Sequence, residues 1–249
     1  PVYGESTRTH YDQYKSDVEV FEKSLNSYSR GIKCLVNDAD AEKSFKLMNE
    51  TFLENSKGEY NSWRLFQIVF IVKLIPDIID QNYNRDYAEL LHVNTGGGKS
   101  EAYFGIIIFT LFWDRIRGKN AGVSAITKFP LRMLSIQQFQ RIAKVVAIAD
   151  KIRADNLPDT NKFSIGYYVG TSDRFPRYNW KILKRIRKAS KKGDKIEGLL
   201  MDNCPFCDHQ IILKINESNA SIEHYCENCR RTFLLYFTTF NIKFLIIKN

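Results

Sequence analysis

Asn94-Thr95-Gly96-Gly97-Gly98-Lys99-Ser100 lies between an apolar run, Leu90, Leu91 and Val93, and the hydrophobic segment 102–113. Three consecutive glycines let a backbone curl closely around an anion without Cβ clashes. The lysine and serine that follow supply what a magnesium triphosphate needs, a cation against the outer phosphates and an oxygen for the metal. A helix opening at that point turns its positive dipole end and free N–H groups to the charge. The pattern predicts a strand, a phosphate-binding loop and a helix. Thr95, Gly96, Gly97, Gly98, Lys99 and Ser100 are the candidate nucleotide-binding residues, Lys99 and Ser100 the candidate catalytic ones, with ATP and Mg2+ (via Ser100) as cofactors. The strict eight-residue motif asks for glycine where the chain has Val93, while the shorter Thr-Gly-x-Gly-Lys-Ser/Thr form is met. The competing reading is a glycine-rich turn that happens to precede a lysine.

Hydrophobic periodicity extends the reading on both sides. Residues 1–60 read as helical, and 63–79 as a strongly apolar helix ending at Pro76 or soon after. Residues 121–127 read as a buried strand, 131–152 as a long amphipathic helix and 164–169 as a further strand. Strand, loop, helix, strand, helix, strand predicts an α/β fold around the phosphate loop, with a parallel sheet and crossover helices. The expected organisation is a helical region 1–60, the nucleotide-binding lobe 61–180, a basic segment 181–200, a zinc ribbon 201–236 and a strand within 237–249.

The length of 249 residues allows one large or two modest domains, and the net charge of +9 points to a polyanionic partner. Much of that charge is local. Residues 181–195 hold eight Lys or Arg and one acid, with Ile182, Leu183 and Ile186 at helical spacing. This segment reads equally as a nucleic-acid contact and as a solvated helix or linker. No run approaches the 18 to 20 apolar residues of a membrane span, and no signal peptide is visible. The expected location is a reducing cytoplasm, with no membrane partner.

Of five cysteines, four form two C-x-x-C pairs, Cys204/Cys207 and Cys226/Cys229, separated by eighteen residues. That spacing predicts a structural Zn2+ held by four thiolates, with a hairpin between the two knuckles. Disulfides or a redox pair are the rivals. His209 and His224 read as bystanders, and Cys34 as a buried small apolar residue.

Taken in order, Trp63-Arg64-Leu65-Phe66-Gln67, the glycine loop running on through Glu101-Ala102-Tyr103-Phe104-Gly105, Leu131-Arg132-Met133-Leu134, Gln137-Gln138-Phe139-Gln140-Arg141, Ile165-Gly166-Tyr167-Tyr168-Val169-Gly170 and the paired knuckles resemble the DrmA-like helicase subunits of bacterial DISARM phage defence. The resemblance covers roughly residues 60–230. It implies the N-terminal RecA-like lobe of a superfamily 2 helicase or translocase acting on DNA, single-stranded or with a single-stranded end, beside DrmB-like and DNA methyltransferase subunits. It also implies that Gln67 reads adenine through its carboxamide, an amide that could equally be a satisfied core residue. Segment 128–132 resembles the motif that grips a nucleic-acid backbone, which makes Arg132 the first candidate for a phosphate contact, with Thr127, Gln137 and Arg141 behind it. Arg132 and Arg141 can equally solvate a helix face. Thr171, in Gly170-Thr171-Ser172, is a weaker match to a later element of the same lobe.

The departures from that family matter as much. No Asp-Glu motif follows the knuckles and no second lobe with an arginine finger, both of which hydrolysis needs. The chain as given is expected to bind ATP poorly and hardly hydrolyse it. Its start at proline hints at a longer protein, and Asn249 is a candidate for the place of the missing acid after the apolar segment 244–248. The alternative to a helicase fragment is a nucleic-acid-binding scaffold with a zinc ribbon and a vestigial nucleotide site; a P-loop kinase or GTPase would leave Gln67 and the Pro-Leu-Arg element without a role.

Overall fold

The computed structural model describes residues 3–80, 88–94, 96–129, 132–169, 180–192, 201–218, 221–233, 236–239 and 244–248. Helices make up most of it. Helix α1 (Tyr3–Asn37) gives way to α2 (Ala39–Ser56) at Asp38, whose extended backbone breaks the run. The Asp38 carboxylate accepts from the N–H groups of Asp40 (2.9 Å) and Ala41 (3.0 Å), capping the new helix. Helix α3 (Leu65–Ile79) carries Pro76 inside its last turn and lies against α1. The approach is so close that a Cβ on Gly31 would fall on the Val72 carbonyl.

Helix α4 (Lys99–Ile116) is the centre of the core. Phe104, Ile108, Phe109, Leu111 and Phe112 are buried around its circumference, as a helix enclosed by others requires. Helices α2, α3 and α5 (Arg132–Asn156) pack about it, with Ile71, Ile75, Phe139 and Ile142 among the residues that close the core.

Strands β1 (Val123–Lys128) and β2 (Ser164–Val169) flank α5 in sequence, as the periodicity predicts. The hairpin strands β3 (Ile211–Asn216) and β4 (Ser221–Cys226) form a small antiparallel sheet with β5 (Thr232–Phe233). Two further strands, β6 (Tyr236–Thr239) and β7 (Phe244–Lys248), join the first pair in a four-stranded sheet of order β1-β7-β2-β6.

This sheet corrects the predicted RecA-like parallel architecture. β7 runs antiparallel to β1 on one side and to β2 on the other, and among the described strands only β2 and β6 pair in parallel. β1 and β2 do share a direction, as a crossover helix demands, but a crossover fixes direction and not adjacency. The ladder between them is taken by β7, with Ile246 facing both Ile126 and Gly166. Two smaller expectations fall with it. The run before the glycine loop is not a strand, and Leu90 is 85% exposed. β1 lies at the sheet edge with Val123 and Ile126 exposed, so it is not a buried strand.

A buried guanidinium ties the helical and sheet parts together. Arg115, 2% exposed near the end of α4, donates to the carbonyls of Asn161 (2.7 Å), Lys119 (2.7 Å) and Lys162 (3.1 Å) and stacks over Phe163. These contacts anchor both the turn leading to β1 and the loop leading to β2.

Candidate nucleotide loop and metal centre

The glycine loop ends at Gly98, the N-cap of α4, which sits in the left-handed region at φ 89°, as does Gly96 at 81°. Those angles require glycine, since a side chain there would strain the backbone. The chain turns on a Gly97 N–H bond to the Asn94 carbonyl (3.0 Å) and enters α4 with Lys99 and Ser100 as its opening residues. Their first-turn N–H groups have no acceptor within the helix, the usual makings of an anion cradle.

Helix α3 begins against this loop. Arg64, its N-cap, donates from Nη1 to the Gly97 carbonyl (2.7 Å), and Gln67 donates from Nε2 to the Gly98 carbonyl (2.8 Å). The Gln67 Oε1 accepts from the Arg64 backbone N–H at 2.8 Å, so both ends of a 6% exposed carboxamide are engaged. Two donors therefore hold two successive loop carbonyls. The Lys99 ammonium folds back to donate to the Val93 carbonyl, and the Ser100 hydroxyl accepts from the Tyr103 hydroxyl at 2.9 Å.

Arg141 reaches the same neighbourhood from α5. It pairs with Glu101 in the first turn of α4 and lies over the Phe104 ring. Gln137 is exposed on α5, and Arg132 is the first residue of that helix. Thr127 lies on β1, opposite Leu245 of β7, its buried hydroxyl without a hydrogen-bond partner among the described residues. Thr95, Thr171 and Asn249 lie outside the described residues. The candidates thus gather in part: Gln67, the three glycines, Lys99, Ser100 and Arg141 surround one loop. Arg64, Glu101 and Tyr103, which lie in the resembling segments with no role assigned to them, join the cluster through their contacts. The Arg64 contact spans 33 residues of sequence and follows from how α3 meets α4.

The second cluster lies in the ribbon. The sulfurs of Cys204, Cys207, Cys226 and Cys229 all lie within 4.8 Å of one another, with Cys204–Cys229 at 3.5 Å and Cys207–Cys226 at 3.4 Å. A tetrahedral zinc with bonds of about 2.3 Å separates its sulfurs by about 3.8 Å, so the four thiols fit such an ion. None is in a disulfide. Each knuckle is shaped by backbone bonds, Asp208 N–H to the Cys204 carbonyl (2.9 Å) in the first and Cys226 N–H to the Arg231 carbonyl (2.9 Å) in the second. The β3–β4 register, with Ile211 facing Cys226, brings the two knuckles to one end of the hairpin.

Burial pushes the Cys204 thiol up to about 12 and raises Cys229, whereas the Asn228 side chain and the His209 backbone hold Cys207 down to about 5. Cys207 is therefore ready for a cation as a thiolate, while Cys204 and Cys229 must lose protons when one binds. His209 and His224 are absent from the four-sulfur cluster. His209 bonds the Cys207 carbonyl at 3.0 Å, which raises its pKa, and fully buried His224 is pushed down to about 4 by desolvation.

No protein-family model matches the chain. It spans about a fifth of the length of the curated relative it matches. That relative is the DISARM protein DrmA of Bacillus paralicheniformis, to which the chain is similar with 29% identity over 218 residues, taking in 74% of this chain and 19% of that protein.

Proposed function

We propose that this chain is the nucleotide-binding part of an ATP-dependent DNA helicase or translocase that acts in bacterial defence against phage. The observation that carries the reading is the glycine loop at the head of α4, with Lys99 and Ser100 opening the helix and two donors from α3 fixing the loop carbonyls. Because Arg64 and Gln67 hold carbonyl oxygens, those dipoles point away from a bound anion and the first-turn N–H groups are left to meet it. The similarity to a DISARM protein supplies the biological setting.

ATP supplies the triphosphate whose binding and cleavage drive movement along DNA. Lys99 would leave the Val93 carbonyl to lie against the outer phosphates, and Ser100 would turn from Tyr103 to hold magnesium. Gln67 serves either as an adenine reader or as a loop-positioning residue. Arg132, Thr127 and Gln137 would contact the nucleic-acid backbone with Thr171. Arg141, paired beside the loop, would link that contact to the nucleotide. The four cysteines would hold a structural zinc, and DrmB-like and methyltransferase subunits are the expected partners in the cytoplasm.

The test is DNA-stimulated ATPase activity of the full-length protein. Lys99→Ala should abolish turnover while leaving metal content unchanged. Turnover retained by that variant would contradict the reading.

A further inference from the structure

Helix α6 (Trp180–Lys192) contains no acidic residue. Its buried Ile186 packs with Leu213 and Ile222 of the ribbon hairpin, and Leu183 and Ile215 cover the rim of that contact. Arg187 pairs with Glu217 at the hairpin turn, fixing the helix from a second side. The helix is thus held against the sheet that the cysteine knuckles close.

This docking decides which face is outward. Lys184, Lys188 and Lys191 follow at i, i+4 and i+7, a stripe on the side opposite Ile186, and all are exposed, as is Lys192. None of these four lysines pairs with an acid among the described residues. A helix that buries one apolar edge and presents a row of ammonium groups with no acidic partner among the described residues concentrates positive potential along a line about 10 Å long.

We propose that this lysine stripe is a docking surface for the phosphate backbone of nucleic acid, separate from the glycine loop and oriented by the ribbon. Ammonium groups on flexible stems suit a phosphate backbone read by charge and not by sequence, since each neutralised phosphate releases condensed counterions. The described side chains at these three positions offer charge to an anionic backbone and no apolar surface.

The experiment compares the 249-residue chain with Lys184→Gln/Lys188→Gln/Lys191→Gln, binding a mixed-sequence DNA oligonucleotide, single-stranded and duplex, across a salt series. A control, Lys23→Gln/Lys33→Gln/Lys43→Gln, removes equal charge from exposed positions on α1 and α2. The stripe variant should lose about tenfold or more in affinity and shift the slope of log K against log salt by about 2 to 3, while the control changes little. Restoring charge with arginine at the same three positions should recover binding. Equal losses in both triple variants, unchanged affinity in the stripe variant, or failure of arginine to rescue would overturn the proposal. So would binding of polyglutamate, the stand-in for an acidic protein partner, to the unsubstituted chain under conditions in which DNA does not bind. Lys99→Ala should leave this binding intact, so failure here and failure of the nucleotide reading are distinguishable.

Discussion

Gln67 shows how one side chain can stand between two roles. Its carboxamide accepts from the Arg64 N–H and donates to the Gly98 carbonyl, so it joins the start of α3 to the loop. Gln67→Glu keeps the acceptor and loses the donor, leaving a carboxylate facing a carbonyl. If the residue positions the loop, affinity for ATP and GTP should fall together, by about threefold to tenfold for one lost hydrogen bond. If it reads adenine, ATP alone should suffer, and nucleotide competition measures the difference. The glycine loop itself was legible in the sequence because left-handed turns and a lysine-serine helix start leave a compositional trace. The Arg64, Gln67 and Tyr103 contacts were not, because they depend on where α3 crosses α4, and the periodicity of either helix is the same whatever it packs against.

At the scale of elements, helices α3, α4 and α5 and strands β1 to β4 follow from hydrophobic period and turn residues. Sheet order does not, because the unbroken apolar run Phe244-Leu245-Ile246-Ile247 suits a buried strand without saying which strands it pairs with. Only the ladder shows β7 between β1 and β2. Arg115 joins α4 to the segments that lead into β1 and β2. Arg115→Met would keep much of the volume and take the donor from three carbonyls at once, so it should lower unfolding free energy by about 2–4 kcal/mol. Denaturant titration checks this, and a change within error would show that the carbonyls find other partners. Burial, followed by repulsion from Arg153, holds the Arg115 pKa below its usual value.

The ribbon carries four cysteines that could hold a metal ion, and a bound ion would contribute to its stability. Chelation should loosen the β3–β4 hairpin and free α6 from its contact with Leu213 and Ile222, read as new protease cleavage within 180–233. Metal uptake should also release protons. Cys204 and Cys229 are raised, so they enter the reaction as thiols at neutral pH, and Cys207, held at about 5, enters as a thiolate. Apparent zinc affinity should therefore rise with pH through neutrality. Calorimetry in buffers of different ionisation enthalpy counts the protons; affinity independent of pH from 6 to 8 would contradict this assignment.

For the whole molecule, a helical core around α4 carries the glycine loop at one end, while a mixed sheet and a four-cysteine ribbon extend from it. The arrangement departs from the parallel sheet that the motif order predicted, so the nucleotide reading stands on the loop and its immediate neighbours. The most direct test is magnesium-dependent binding of a non-hydrolysable ATP analogue to the 249-residue chain, by calorimetry, beside Lys99→Ala. Weak binding that needs magnesium and disappears in Lys99→Ala, with zinc content unchanged, is the expected result. Binding that is the same in both proteins, or none in the unsubstituted chain at millimolar analogue, would contradict the assignment of this loop to nucleotide.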